Sequence, residues 1–142
     1  MIITLIGSAR FELNFIEANK ELTLRGHRVF SLGCMPRDSG GKDWYTEGQK
    51  QVLDMVHLAK MSDADAILLL GDGYVGQSTG REITWAWVNG MVIVPEWSID
   101  TPDTKWDRLE GALLERKRWT LGLYRRVMEM YKEGRVGGNI AG

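Results

Sequence analysis

The 142-residue chain has a single cysteine, Cys34, and almost no net charge, −1 with both histidines neutral. One thiol excludes a disulfide framework, and no CxxC pair or zinc spacing exists. Eighteen basic residues against nineteen acidic ones, with a pI near 6.1, give no electrostatic case for nucleic acid or an acidic membrane surface. Basic residues do gather in "ERKRW" and "YRR", but glutamates are interleaved with them, as on a solvated helix face. Repeats, low-complexity tracts and linkers are missing. So are a basic leader and any long apolar stretch, and the expectation is a cytoplasmic protein with neither signal peptide nor membrane span. The length suits one domain, expected over residues 1–134 with a flexible tail at 135–142.

What is present is an alternation of strand and helix patterns. "IITLIG" (2–7) is a β-branched run, and Phe11, Phe15, Ala18 and Leu22 follow at helical spacing to a stop at Gly26. "RVFSLG" (28–33) reads as a second strand, and residues 34–44 as a loop holding Pro36, Gly40 and Gly41. A helix is expected from Tyr45 to Met61, with Val52, Met55, Val56 and Ala59 on one side. "AILLL" (66–70) is continuous enough for the centre of a parallel sheet. A helix from about Thr79 to Val88, a strand at 91–95 and one long charged helix from Pro102 to about Glu133 complete the pattern.

Such alternation predicts an α/β fold: a doubly wound parallel sheet of four to five strands, flavodoxin-like or Rossmann-like, with helices on both faces and a long C-terminal helix. Ligands in such sheets bind beyond the carboxyl ends of the strands. Three segments therefore become candidate walls: Ser8–Phe11, Cys34–Trp44 and Gly71–Glu82. In "GYVGQSTGREI", Thr79 and Glu82 have the spacing of a capping box, so Glu82 either closes a helix end or stands free at the mouth of a site. Ser78, Thr79 and Gly80 at a helix start could hold an anion, which ordinary capping would explain equally well. Arg10 could reach a phosphate or a base, or be a surface arginine. Asp72 lies at the right edge or only shapes its loop. Asp54, His57 and Lys60 step by three along one helix face, a proton-handling group or a solvated stripe. Asp63 and Asp65 precede the third strand, at the wrong edge for chemistry. Cys34 has no cation or histidine near it in sequence, and no metal-ligand spacing appears. The glycines match neither a Walker A loop nor a dinucleotide fingerprint, so no nucleotide cofactor is expected.

"GSARFELNFIEANKELTLRGHRV", "VLDMVHLAKMSDADAILLLGDGYVGQSTGREITWA" and "NGMVIV" together resemble the nucleoside 2-deoxyribosyltransferase-like superfamily over roughly residues 1–95. More narrowly, they resemble a bacterial and phage branch of it. The resemblance implies N-glycosidic cleavage, or base exchange, on a nucleoside or its 5′-monophosphate, with no cofactor. Glu82 would be the nucleophile. Gly7, Ser8 and Arg10, in the G-S-x-R segment, and the helix start would hold the base and the 5′-phosphate. Ser78 and Thr79 would be phosphate contacts, and Tyr74 would pack on sugar or base. Relatives carry an aspartate where this chain has His57, with Asp54 one turn earlier, so either could be the acid that protonates the leaving base. An imidazole titrates closer to neutrality than a carboxyl group does. The departure also leaves open a non-catalytic nucleotide-binding sensor or accessory module. An FMN carrier is disfavoured, because "GSARFE" lacks the hydroxyl run expected around the FMN phosphate. The apolar face with Trp85, Trp87 and Val88 suggests a homodimer.

Overall fold

The computed structural model describes residues 1–32 and 45–141. Its strands, in chain order, are β1 (Ile2–Ile6), β2 (Arg28–Phe30), β3 (Ala66–Leu69), β4 (Tyr74–Val75), β5 (Ile93–Pro95) and β6 (Gly138–Asn139). Its helices are α1 (Glu12–Leu24), α2 (Glu47–Ser62), α3 (Gln77–Val88), α4 (Lys105–Leu114) and α5 (Thr120–Lys132), with three short 3-10 turns among the described residues. Four strands form one parallel sheet in the order β2-β1-β3-β5. Ile3 pairs in register with Val29 on one side and Ala66 on the other, and Ile67 pairs with Ile93.

Alternation within the strands divides the core into two layers. Ile3, Leu5, Leu68 and Val94 point to one face, against Phe15, Ala18 and Leu22 of α1 and Leu109 and Leu113 of α4. Ile6, Ile67, Leu69 and Ile93 point to the other, against Met61 of α2, Ile83 and Ala86 of α3, and Leu123, Val127 and Met130 of α5. Each fully buried aliphatic side chain contributes about 1.5–3 kcal/mol, and apolar coverage on both faces explains strands without polar alternation. The fold is the doubly wound parallel sheet that the sequence pattern predicts. The chain leaves β1 for β2 by a helix on one face, and leaves β2 for β3 by a helix on the other. The topological switch point therefore lies between the carboxyl ends of β1 and β3, where such folds bind ligands.

Three expectations need correction. The long C-terminal helix is two helices, α4 and α5, interrupted at 115–119, where Arg116 has φ 52°. The break lets the chain cross the edge of the sheet. Trp119 packs on both core layers, its N–H donates to the Ile93 carbonyl, and the Thr120 hydroxyl accepts from Ile93 N–H and donates to the Met91 carbonyl. Leu109 and Val127 are eighteen residues apart, five turns of an unbroken helix, so the apolar phase carries no trace of the interruption.

The tail, expected to be flexible, is docked. β6 pairs antiparallel with β4, Ile140 is buried, its N–H donates to the Gly73 carbonyl, and Arg126 Nη1 donates to the Ile140 carbonyl. Gly73 is at φ +114°, and a Cβ there would collide with Ala141. The helix α3 starts at Gln77, two residues before the expected Thr79. On α2 the residues Val52, Met55 (69 % exposed), Val56 and Ala59 share one side as expected, and that side lies at the surface, while His57 and Met61 are buried. The end of the expected second strand at Gly33, Cys34 and the whole Cys34–Trp44 wall lie outside the described residues. Among the described residues no helix is long and apolar enough to cross a membrane.

Candidate active site

The segments leaving β1 and β3 are held close by two glycines. Gly7, at φ +143°, leaves no room for a Cβ, which would stand 2.9 Å from the Leu70 carbonyl oxygen. Gly71, at φ +116°, lies under the Phe11 ring. Ser8 caps the following 3-10 turn, its Oγ accepting from Arg10 N–H at 3.3 Å. Arg10 is exposed, and its guanidinium stacks on the Tyr74 ring, 3.5 Å from the centroid. Asp72 Oδ1 accepts from the Tyr74 N–H at 3.2 Å, an Asx turn that shapes the loop. Arg10, Asp72 and Tyr74 thus form one group above the switch point.

A second group lines the seam between α2 and α3. Both helices begin at the carboxyl edge of the sheet, so the seam opens there. Lys50 Nζ reaches Asp54 Oδ2 at 2.9 Å and Ser78 Oγ at 3.3 Å. One turn deeper, His57 Nε2 approaches Glu82 Oε2 at 3.2 Å. That approach is close enough for an ion pair but is not aligned as a hydrogen bond. His57 Nδ1 and Nε2 and Glu82 Oε2 are all buried without a hydrogen-bond partner among the described residues. His57 is 7 % exposed and the Glu82 side chain 14 %. Asp54, with a side chain 43 % exposed, turns to Lys50 and not to Glu82. Of the two acid candidates, His57 is the one that faces the carboxylate.

The capping-box question is settled by helix register. The N-cap of α3 is Gly76, no side chain caps it, and Gly80 N–H donates to the Gly76 carbonyl at 2.9 Å. Thr79 is therefore the third helical residue and Glu82 the sixth, so the reciprocal pairing cannot form. A complete box closes α2 instead, between Thr46 and Gln49. Thr79 is buried, and the Tyr131 hydroxyl lies against Gly80, so that glycine lets α5 approach α3. Lys60, the third member of the polar stripe, donates to the Ser31 carbonyl at 2.9 Å.

Two residues of the carboxyl edge were missed. Lys50 stands four before Asp54, a spacing visible in the sequence. Glu96 follows β5 directly, and the edge argument applied to that strand would have found it. Glu96 is 4 % exposed, with Oε1 accepting from Gly71 N–H (2.8 Å) and Asn14 Nδ2 (2.9 Å), and Oε2 accepting from Lys105 Nζ. It lines an open groove of about 650 Å³ on the α1/α4 side, with Phe11, Trp97 and Pro102. Among the described residues no group of three or more His, Cys, Asp and Glu is arranged to hold a metal ion. Comparison of the chain with family models, curated proteins and solved structures finds no match.

Proposed function

We propose that the protein cleaves or exchanges the N-glycosidic bond of a nucleoside or nucleoside 5′-monophosphate, with Glu82 as nucleophile and His57 as acid. One observation carries the reading: a half-buried carboxylate and a buried imidazole face each other at the carboxyl edge with three buried polar atoms unpaired among the described residues. Leaving such atoms unpaired costs roughly 1–3 kcal/mol each, and unsatisfied groups of this kind concentrate where a ligand completes them. The resemblance of the flanking motifs to the deoxyribosyltransferase-like superfamily supplies the substrate class.

The chemistry is that of a retaining glycosidase. A Glu82 carboxylate oxygen forms a bond to the anomeric carbon as the carbon–nitrogen bond breaks. The electron pair leaves on the base nitrogen, and His57 delivers a proton to the base. Water or a second base then attacks the anomeric carbon, gives its proton to the now neutral His57 and releases the Glu82 carboxylate. The test is a panel of ribo- and deoxynucleosides and their 5′-monophosphates, with free base measured by chromatography. Addition of a second base separates transfer from hydrolysis. Binding of these compounds without turnover would instead identify a nucleotide-binding module, the reading favoured by the histidine at a position where relatives carry an aspartate.

The same proposal includes a homodimer working in the cytoplasm. Supporting it are the outward stripe Val52, Met55, Val56 and Ala59 on α2 and the exposed Trp87 and Val88 on α3, although Trp87 stacks on Tyr124 and Trp85 packs toward the core. A monomer by light scattering at micromolar concentration would remove the dimer.

A further inference from the structure

We infer that the C-terminal residues 137–141 are a positioning strap for the loop that carries Tyr74, anchored by Arg126. The inference rests on the glycosidase reading, in which Tyr74 packs on sugar or base, and names what keeps that ring in place. The strap lies outside residues 1–95, so the resemblance of the earlier motifs does not reach it.

Residues 71–76 join β3 to α3 and carry Asp72, Tyr74 and the N-cap of α3, Gly76. Three of the six are glycines, with Gly71 and Gly73 at φ +116° and +114°, so the loop has little stiffness of its own. The Asp72 turn braces it locally. The tail braces it along its length. Ile140 N–H donates to the Gly73 carbonyl at 2.8 Å, and Tyr74 and Val75 pair with Asn139 and Gly138. Gly137 lies beside the loop's far end: a Cβ there would stand 3.5 Å from both Gly76 Cα and the Tyr74 hydroxyl. Tyr74 is thus held on its ring face by Arg10 and at its hydroxyl by the tail.

The strap is itself fixed to α5. Ile140 is buried in the layer that holds Val75, Val127 and Met130, and its carbonyl accepts from Arg126 Nη1 at 2.8 Å. The same helix meets α3 directly where the Tyr131 hydroxyl lies against Gly80. His57 and Glu82 have a different support, since they sit on α2 and α3, which are rooted in the core by Met61, Ile83 and Ala86. Two tasks are therefore separated. The packed helices hold the reacting groups, and the strap holds the loop that meets the substrate. A loosened strap makes the substrate order that loop on binding, which weakens binding and leaves the chemical step alone.

The experiment is steady-state base release from the best substrate of the nucleoside and monophosphate panel, with KM and kcat read separately. Arg126→Ala removes the donor to the Ile140 carbonyl. Gly137→Ala keeps that donor and presses a methyl group on the Val75 carbonyl, Gly76 and the Tyr74 hydroxyl. A stop after Gly137 removes the paired part of the strap. KM should rise about threefold in each point variant and about tenfold in the shortened chain, with kcat within about threefold of the wild type. Arg126→Lys, which keeps a donor, should recover most of the wild-type KM. A tail that served stability alone would give another pattern: folded protein is lost, seen by circular dichroism, and apparent kcat falls while KM stays. A loss carried by kcat overturns the inference. So does an unchanged KM in Arg126→Ala and Gly137→Ala, which settles the question even if the shortened chain does not fold. Failure of the glycosidase reading looks different: the wild-type protein releases no base from any compound, and the inference falls with it.

Discussion

Glu82 and Glu96 are both carboxylates withdrawn from solvent at the carboxyl edge of one sheet, and their surroundings are opposite. Glu96, on the α1/α4 side, accepts from a backbone N–H, an amide and an ammonium group, and both its oxygens are satisfied. Glu82, on the α2/α3 side, faces an imidazole at 3.2 Å without a hydrogen bond. Burial alone therefore does not mark a reactive carboxylate. Glu96 ties the end of β3 to α1 and α4, and with three hydrogen bonds accepted by its two oxygens that is a structural role. Glu82 retains an oxygen to give.

Exchange of each carboxylate for its amide breaks this contrast most directly. Glu82→Gln should lower base release by at least about a thousandfold, as removal of a covalent nucleophile does. Its thermal midpoint should match or exceed that of the wild type, because an incompletely paired charge has been removed from the interior. Full release by this variant would end the nucleophile assignment. His57→Ala comes next, with a loss of about 10²–10⁴-fold in kcat if the imidazole is the general acid. Asp54→Ala should change kcat by less than about tenfold, well below that range, since its carboxylate is turned away from Glu82. Full release by His57→Ala together with loss in Asp54→Ala would transfer the acid role to Asp54.

Glu96→Gln tests the other half. Weakening the hydrogen bonds of a charged group whose ammonium partner is a quarter exposed costs about 1.5–3 kcal/mol, which for a chain of this length lowers the melting temperature by roughly 5–10 °C. Lys105 and the Asn14 amide are left with an imperfect acceptor, and the loop that begins at Gly71 loosens with them. A melting temperature within two or three degrees of the wild type, measured by circular dichroism, would show that the two carboxylates are not so different.

The sheet and its helix order were legible because continuous apolar runs and helical spacing each follow directly from burial on two faces. The elements that escaped were those whose position depends on partners far away in sequence. The α4–α5 break is invisible because Leu109 and Val127 keep one helical phase across it. The tail carries no pattern of its own and is ordered by β4 and Gly73. The apolar stripe of α2 was legible as a stripe, but its outward orientation was not, since periodicity fixes which residues share a face and not where that face points. The site was partly legible for the same reason. Glu82 and His57 could be named by position and resemblance, whereas their mutual approach and the reach of Lys50 across to Ser78 are contacts between two helices.

A third carboxylate makes the comparison quantitative at its weak end. Glu110 on α4 is neither deeply buried nor unpaired. Its hydrogen bond from His27, and that from Arg25, hold its carboxyl below the usual range against the opposing effect of burial. A carboxylate whose folded pKa is depressed stabilises the fold above its unfolded pKa of about 4.3, and that contribution disappears as the pH falls through the lower folded value. Glu110→Gln should therefore be less stable than the wild type at pH 5.5 by about 0.5–1 kcal/mol, the range of a partly exposed pair. The difference should narrow as the pH is lowered below the unfolded value, which urea unfolding at pH 5.5 and pH 3 would measure. A gap that stayed constant down to pH 3 would mean that Glu110 acts through packing. Its charge would then fall outside the series in which pairing, and not depth, decides what a carboxylate does for this fold.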